Sequence, residues 1–269
     1  MSKFSSKNKL IEKQLKQLNK KEEKLILEKE PGIIKNKLDP LKIKIEEKIP
    51  EKLQSTLNIA FEMGFKTVFD KALGIIEKTY NKDNISMEFD INSYAINKYP
   101  TKRNLKKIDK SANKKTLINK SVSAIEGGAL GLLGVGLPDI PIYIGIILKS
   151  IYEISLSYGF DYNSPEERIY ILNIISASVT SGIERKMYFY RLDTIANEIN
   201  NNKYPNYNID ETLKETSDKI STYMLTSKFI QGLPLVGVIG GITNFKTLQD
   251  ISTIAKLKYK QRYLNKLLL

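Results

Sequence analysis

The sequence contains no histidine, no cysteine and no tryptophan. Without Cys and His there is no zinc site of the Cys/His type, no thiol nucleophile and no disulfide. The imidazole base of a Ser-His-Asp or Cys-His system is missing as well. Any catalysis would have to run on carboxylates, Lys, Tyr, Ser or Thr. Arginine is scarce: only Arg103, Arg168, Arg185, Arg191 and Arg262 occur, which leaves 38 of the 43 basic residues as Lys. A Lys-heavy, Asn- and Ile-rich chain is what an AT-rich genome yields, so part of the basic charge is compositional bias. The first 30 residues are charged and hold no apolar run of the kind a secretory signal needs. What is present is a globular composition, 41% hydrophobic and 27% charged over 269 residues. That length serves one large domain or two small ones with a substantial core.

The net charge of +13 is unevenly placed. Residues 1–120 hold 28 basic and 16 acidic residues, residues 121–200 hold 5 and 9, and residues 201–269 hold 10 and 5. The run 98–120 carries Lys98, Lys102, Arg103, Lys106, Lys107, Lys110, Lys114, Lys115 and Lys120 against Asp109 alone, and it leads into the most apolar part of the chain. A polybasic run beside an apolar element fits an anionic membrane surface. Nucleic acid is the competing partner, but aromatic interleaving of the stacking kind and nucleic-acid motifs are lacking. A solvated helix face is the plain alternative to both.

Along the chain the period is helical and strand signals are weak. Leu10, Ile11, Leu15, Leu18, Leu25 and Ile26 mark an amphipathic helix over 7–29, closed by Pro31-Gly32. This basic segment, 1–30, reads as an extension of the main domain, 31–269. After Pro50, the residues Leu53, Leu57, Ala60, Phe61, Gly64, Phe65, Val68, Phe69, Ala72 and Ile76 predict a helix to about Tyr80. Residues 81–100 are polar and read as a connection or hinge. Residues 122–148 have only Glu126 and Asp139 as charges, and Gly127, Gly128, Gly131, Gly134, Gly136 and Gly145 punctuate them. A single membrane span is disfavoured by Pro138 and Pro141 and by the charges of Asp139, Lys149 and Glu153. Two helices joined at Pro138–Pro141 fit better, with close packing at the glycines. Ser164 caps a further helix, with Pro165 in its first turn and Glu167 at the capping-box position. Helices over 210–228 and 233–264 complete the pattern. A short echo relates Gly136-Leu137-Pro138 to Gly232-Leu233-Pro234. The expected fold is all-α, a compact multi-helix bundle with Gly/Pro-rich apolar turns.

Few residues invite chemistry. The glycine run lacks the Lys-Ser/Thr of a phosphate-binding loop and does not follow a strand. Asp139 reads as a helix N-cap, or as a polar group in a cleft or membrane-facing tip. Lys149 and Glu153, four apart, read as an ion pair on a helix face. Glu126 is a second isolated carboxylate. Glu166 and Glu167 suit a helix first turn. Paired carboxylates could bind Mg²⁺ or act as acid and base, but the spacing shows no convergence.

Two stretches carry a family resemblance. Gly134-Val-Gly-Leu-Pro-Asp-Ile-Pro141, Ile151-Tyr-Glu-Ile-Ser-Leu-Ser-Tyr-Gly-Phe-Asp161 and Ser164-Pro-Glu-Glu-Arg168 resemble the EcsC protein family. Gly232-Leu-Pro-Leu-Val-Gly-Val-Ile-Gly-Gly241 and Lys258-Tyr-Lys-Gln-Arg262 resemble its C-terminal part. The resemblance covers about residues 45–264. It implies association with a bacterial ABC-transporter system linked to protein secretion, and no established activity or catalytic residues. The matched positions are Asp139, Pro141, Tyr158, Gly159, Asp161, Glu166 and Glu167; Glu153 lies between them.

The leading expectation is a non-enzymatic, membrane-peripheral accessory protein at the inner face of the bacterial membrane, without a metal or cofactor. Lys102, Arg103, Lys106, Lys107, Lys110, Lys114 and Lys115, with the basic tail Lys256–Lys266, would meet anionic lipid. Tyr143 and Tyr152 are candidate interface aromatics, with core packing the alternative. The rival is a carboxylate- or Mg²⁺-dependent hydrolase, which needs Glu126, Asp139, Glu153, Asp161, Glu166 or Glu167 to converge. Nucleic-acid binding ranks last.

Overall fold

The computed structural model describes residues 3–27, 49–115, 139–230 and 241–268. Their regular elements are all helical. They are α1 (Lys3–Leu27), α2 (Glu51–Thr67), a π-helical turn (Val68–Ala72), α3 (Leu73–Glu77), α4 (Lys82–Lys98), α5 (Lys102–Lys115), α6 (Asp139–Ser157), α7 (Pro165–Val179), α8 (Gly182–Asn200), α9 (Ile209–Ile230) and α10 (Gly241–Lys266). The all-α expectation holds. The glycine run up to Pro138, Glu126 and most of the internal echo lie outside the described residues.

α7 stands at the centre. Ser164 Oγ accepts from Glu167 N at 3.2 Å and Pro165 occupies the first turn, as the cap pattern predicts. Beyond that turn the helix is buried on every side, from Ile169 to Val179, which marks an element surrounded by others. α8, α9 and α10 pack on it, and α9 also packs on α2. Its small hydroxyls are satisfied locally: Ser178 Oγ donates to Ile174 O, and Ser176 Oγ meets Thr216 Oγ1 of α9 at 3.0 Å.

α6 is the second core helix, lying against α10, α4, α2 and α5. Its stretch Ile140–Ser157 is long and apolar enough to cross a membrane, yet 94% of it is buried within the bundle. Gly64 lets α2 approach it: a Cβ there would lie 2.7 Å from Ile144 Cδ1. Pro141 is buried at this contact. Tyr143 and Tyr152 are core residues, 4% and 1% exposed, which decides against their being interface aromatics. Tyr152 stacks on Tyr162 with ring centroids 4.0 Å apart.

Six consecutive residues of α10 reach into five other helices. Lys258 Nζ bonds Glu22 of α1 and Asp193 of α8 at 3.0 and 2.9 Å. Lys260 Nζ bonds Asp109 of α5 at 2.7 Å. Gln261 Nε2 donates to Asn19 and Glu22 of α1. Tyr263 meets Phe89 of α4 edge to face. Tyr259 OH and Arg262 both converge on Glu167 of α7, at 2.7 Å for the hydroxyl and 2.9 and 2.7 Å for the guanidinium. Glu167 and Arg262 are 2% and 4% exposed, so this is a buried ion pair. Burial pushes the Glu167 carboxyl up, and Arg262 and Tyr259 pull against that rise. Arg262 also lies over the rings of Phe160 and Tyr170, at 4.2 and 5.1 Å. Glu167 thus takes the capping-box position through its backbone while its side chain leaves the box for the core.

One expectation needs correction. Residues 81–100 are not a connection: they form α4. Asn81 Oδ1 accepts from Asn84 N at 2.8 Å to start the helix. Ile85, Phe89, Asn92 and Ile96 then return at steps of four, three and four, and Ile85, Asn92 and Ile96 are buried. Asn92 within the stripe, and the polar residues scattered between its members, hide it in the sequence. The basic segment 1–30, read as an extension, contains α1, which packs on α10 and α8 with Ile11 1% exposed. Arg185, buried in α8, donates to Leu25 O at 2.7 Å and fastens the end of α1.

Gly159 ends α6 in the left-handed region at φ +77°. Phe160 N donates to Ser155 O and Gly159 N to Leu156 O, the paired bonds of a Schellman cap. The Phe89 ring lies directly over it, 2.2 Å from where a Cβ would stand.

Two stability predictions follow from this packing. Arg262→Met strands a buried carboxylate and lowers stability by about 3–5 kcal/mol, while Glu167→Gln with Arg262→Met recovers most of it. Urea midpoints of single and double variants check this; equal losses would refute the role given to the pair. Gly159→Ala costs at least about 1 kcal/mol from the left-handed backbone alone, so Phe89→Leu in the same chain relieves only part of the loss.

Candidate functional site

α4 and α5 form a hairpin whose outer face is unlike the rest of the surface. Thr101 Oγ1 accepts from Asn104 N to start α5, and Asn104 Nδ2 donates back to Tyr99 O and Ala95 O of α4. That reciprocal bonding fixes the corner. α5 turns Leu105, Ile108, Ser111 and Ala112 into the core, at 2–4% exposure or less. Lys102, Arg103, Lys106, Lys107 and Lys110 consequently point to solvent. Lys114 and Lys115 belong to α5, but their side chains lie outside the described residues.

Asp109, the one acid of the basic run, faces inward. Its Oδ2 accepts Lys260 Nζ at 2.7 Å and its Oδ1 accepts Tyr158 OH at 3.3 Å. The outward face of α5 is therefore cationic without internal compensation. On α4, Met87, Ile91 and Tyr94 stand at i, i+4 and i+7 and are 54%, 64% and 66% exposed. Tyr99, at the corner, is 57% exposed, and Lys98 Nζ lies over the Tyr94 and Tyr99 rings. An apolar stripe and a cationic row thus share one rigid hairpin. A groove of about 360 Å³ runs between them, lined by Asn84, Met87, Glu88, Ile91 and Asn92 of α4 and by Lys107 and Lys110 of α5. A second exposed stripe, Ile183, Met187 and Tyr190 of α8, has charges of both signs beside it in Glu184 and Lys186.

The remaining site candidates scatter. Asp139 opens α6, and its side chain lies outside the described residues. Pro141 and Tyr158 are packing residues, with Tyr158 tied to Asp109. Glu153 is buried on α6; its charge opposes the burial that pulls the Lys149 ammonium below its usual value. Lys149 Nζ donates to Thr79 O at 3.2 Å, fixing the turn between α3 and α4. Asp161 is exposed, accepts from Asn163, and stands 3.8 Å from Lys82. Glu166 sits half-exposed in the first turn of α7, and Glu167 belongs to Arg262. Among the described residues no group of three or more acidic side chains is arranged to hold a metal ion. The convergence that the hydrolase reading requires is absent from the described carboxylates.

A polar cluster escaped sequence reading altogether. Tyr162 OH donates to Glu77 Oε1 at 2.6 Å, which leaves Tyr80 OH to donate to Tyr162 at 2.6 Å. Burial, then the Glu77 carboxylate, push the Tyr162 hydroxyl far up, so it acts as a donor and not as a base. The cluster ties the turn before α4 to the loop before α7. Nothing local announces it, because its members are 82 and 85 residues apart. The α4 stripe, in contrast, is present in the sequence as i, i+4, i+7 spacing, but the polar residues around it give the segment the look of a connection.

Comparison with known proteins places this arrangement. No solved structure matches the chain. Protein EcsC of Bacillus subtilis (strain 168) is 27% identical over 224 residues, covering 82% of this chain and 83% of that protein. The uncharacterized protein YdbA of the same organism is 24% identical over 155 residues, 53% of each chain. The model of the EcsC protein family matches residues 12–264, which takes in most of α1 and every helix after it. The chain belongs to the EcsC protein family.

Proposed function

We propose that this protein is a peripheral, non-enzymatic accessory at the inner face of the bacterial cytoplasmic membrane, attached to anionic lipid through the α4–α5 hairpin. One observation carries the reading: exposed Met87, Ile91 and Tyr94 adjoin the exposed cations of α5 on the same hairpin. Interfacial binding needs both parts. Apolar side chains enter the boundary between headgroups and acyl chains, Tyr rings sit at headgroup level, and Lys and Arg draw the surface to negative lipid. The remainder of the hairpin is anchored in the bundle, so attachment would leave the core helices folded as they are. Partnership with an ABC transporter, and through it with secretion, is part of the same proposal. It rests on the family resemblance and presupposes residence at the membrane.

Flotation with vesicles tests the attachment. The protein should float with phosphatidylglycerol vesicles at low salt, float poorly with phosphatidylcholine vesicles, and be released as salt screens the cations. Lys102→Ala with Arg103→Ala should weaken the phosphatidylglycerol contact about 30-fold, each such cation contributing about 1 kcal/mol. Met87→Ser or Ile91→Ser, which removes apolar surface and leaves the charge alone, should lower binding without changing salt sensitivity. Equal recovery in the soluble fraction with both lipids at low salt would overturn the reading, and a salt-sensitive gel shift in its place would assign the surface to nucleic acid. Cross-linking in membranes followed by purification of the tagged protein should recover an ABC ATPase or permease.

A further inference from the structure

The groove between α4 and α5 has a more specific chemistry than a charged surface requires. The α4 wall sets Met87 and Ile91, both more than half exposed, among the polar side chains of Asn84, Glu88 and Asn92. The other wall carries Lys107 and Lys110, one helical turn apart on α5. Among the described residues neither lysine has a carboxylate within 4.0 Å, although Glu88 lines the same groove. Asp109, their neighbour in sequence, is turned away to Lys260 and Tyr158. Among the described residues, two cations with no carboxylate inside 4.0 Å therefore face Met87 and Ile91, with Glu88 beside them, across a groove of about 360 Å³. That volume falls at the small end of the roughly 300–1,000 Å³ range of small-molecule sites.

The geometry points to a site for one anionic lipid molecule: a phosphate head held by Lys107 and Lys110, with the adjoining chain carbons laid along Met87 and Ile91. The inference rests on the membrane reading above and narrows it from a surface to a single bound lipid drawn from the bilayer. Charge complementarity argues for the head. The phosphate offers several acceptor oxygens, so it can engage two lysines one turn apart at once. The exposed stripe argues for the chain, since each methylene removed from water there is worth about fourfold in affinity. Glu88 opposes the head group and sets its position toward the α5 wall. The sign of a Glu88 substitution is consequently fixed: removing its charge must strengthen binding.

The test uses the full chain and dihexanoyl phosphatidic acid kept below its micelle concentration, titrated by calorimetry. The expected result is saturable one-to-one binding, at least about tenfold tighter than inorganic phosphate or dihexanoyl phosphatidylcholine. Lys107→Ala with Lys110→Ala should abolish it, Lys102→Ala with Arg103→Ala should leave it, and Glu88→Gln should tighten it severalfold. All these residues are at the surface, and unchanged urea midpoints establish that the variants fold. For vesicle flotation both double variants should be weakened, Lys107→Ala with Lys110→Ala the more so because it loses the groove as well as two surface charges. Flotation without saturable binding of the monomeric lipid would overturn the groove and leave the surface reading standing. Monomer binding without flotation would support the groove and overturn the surface. Equal affinity for inorganic phosphate, or loss on Lys102→Ala with Arg103→Ala, would also overturn the groove.

Discussion

The arrangement of helices depends on a carboxylate that has been taken out of water. Glu167 lies in the central helix α7, and a charge there is tolerable only because Arg262 and Tyr259 both reach it. Desolvating such a pair costs several kcal/mol per ion, so the pair adds little net stability compared with an apolar replacement. Its effect is on uniqueness. A Leu in place of Arg262 would accept many positions of α10, whereas a guanidinium whose Nη1 must meet both carboxylate oxygens accepts few. Once Arg262 is seated, the neighbouring turn fixes where Lys258, Lys260 and Tyr263 point, and with them α1, α8, α5 and α4.

The hairpin inherits its orientation from the same turn. The buried side of Leu105, Ile108 and Ala112 decides which side of α5 is wet, and Lys260 and Tyr158 hold Asp109 away from it. Had Asp109 faced outward, it would have neutralised part of the cationic row. Phe89 closes the other side, wedged between Gly159 and Tyr263. The exposed stripe of α4 is thus the direct consequence of an inner stripe that is held in place at three points.

Local signals were legible where they act locally. Ser164 and Pro165 announced the start of α7, and the long apolar period after Pro50 announced α2. The all-α class followed from the same period. Tertiary partners were not legible. The capping-box position of Glu167 was visible, but its partner lies 95 residues away, and a helix-capping reading gave no reason to send the side chain inward. α4 failed for a different reason. Only Ile85, Phe89 and Ile96 mark its inner face, with Asn92 at the fourth place, so a half-polar stripe was read as no stripe. The cationic row of α5 was recognised by composition, while its apolar companion was hidden in the segment misread as a hinge.

The position of α10 in the chain gives the buried pair a further meaning. A ribosome releases α1 through α9 before the turn that joins them exists. Until that turn emerges, Glu167 has no guanidinium to meet, and the central helix carries an unneutralised charge on the face that must be buried. A chain lacking Arg262 would leave that carboxylate without its guanidinium, so α10 must be docked before the charge on α7 can be buried.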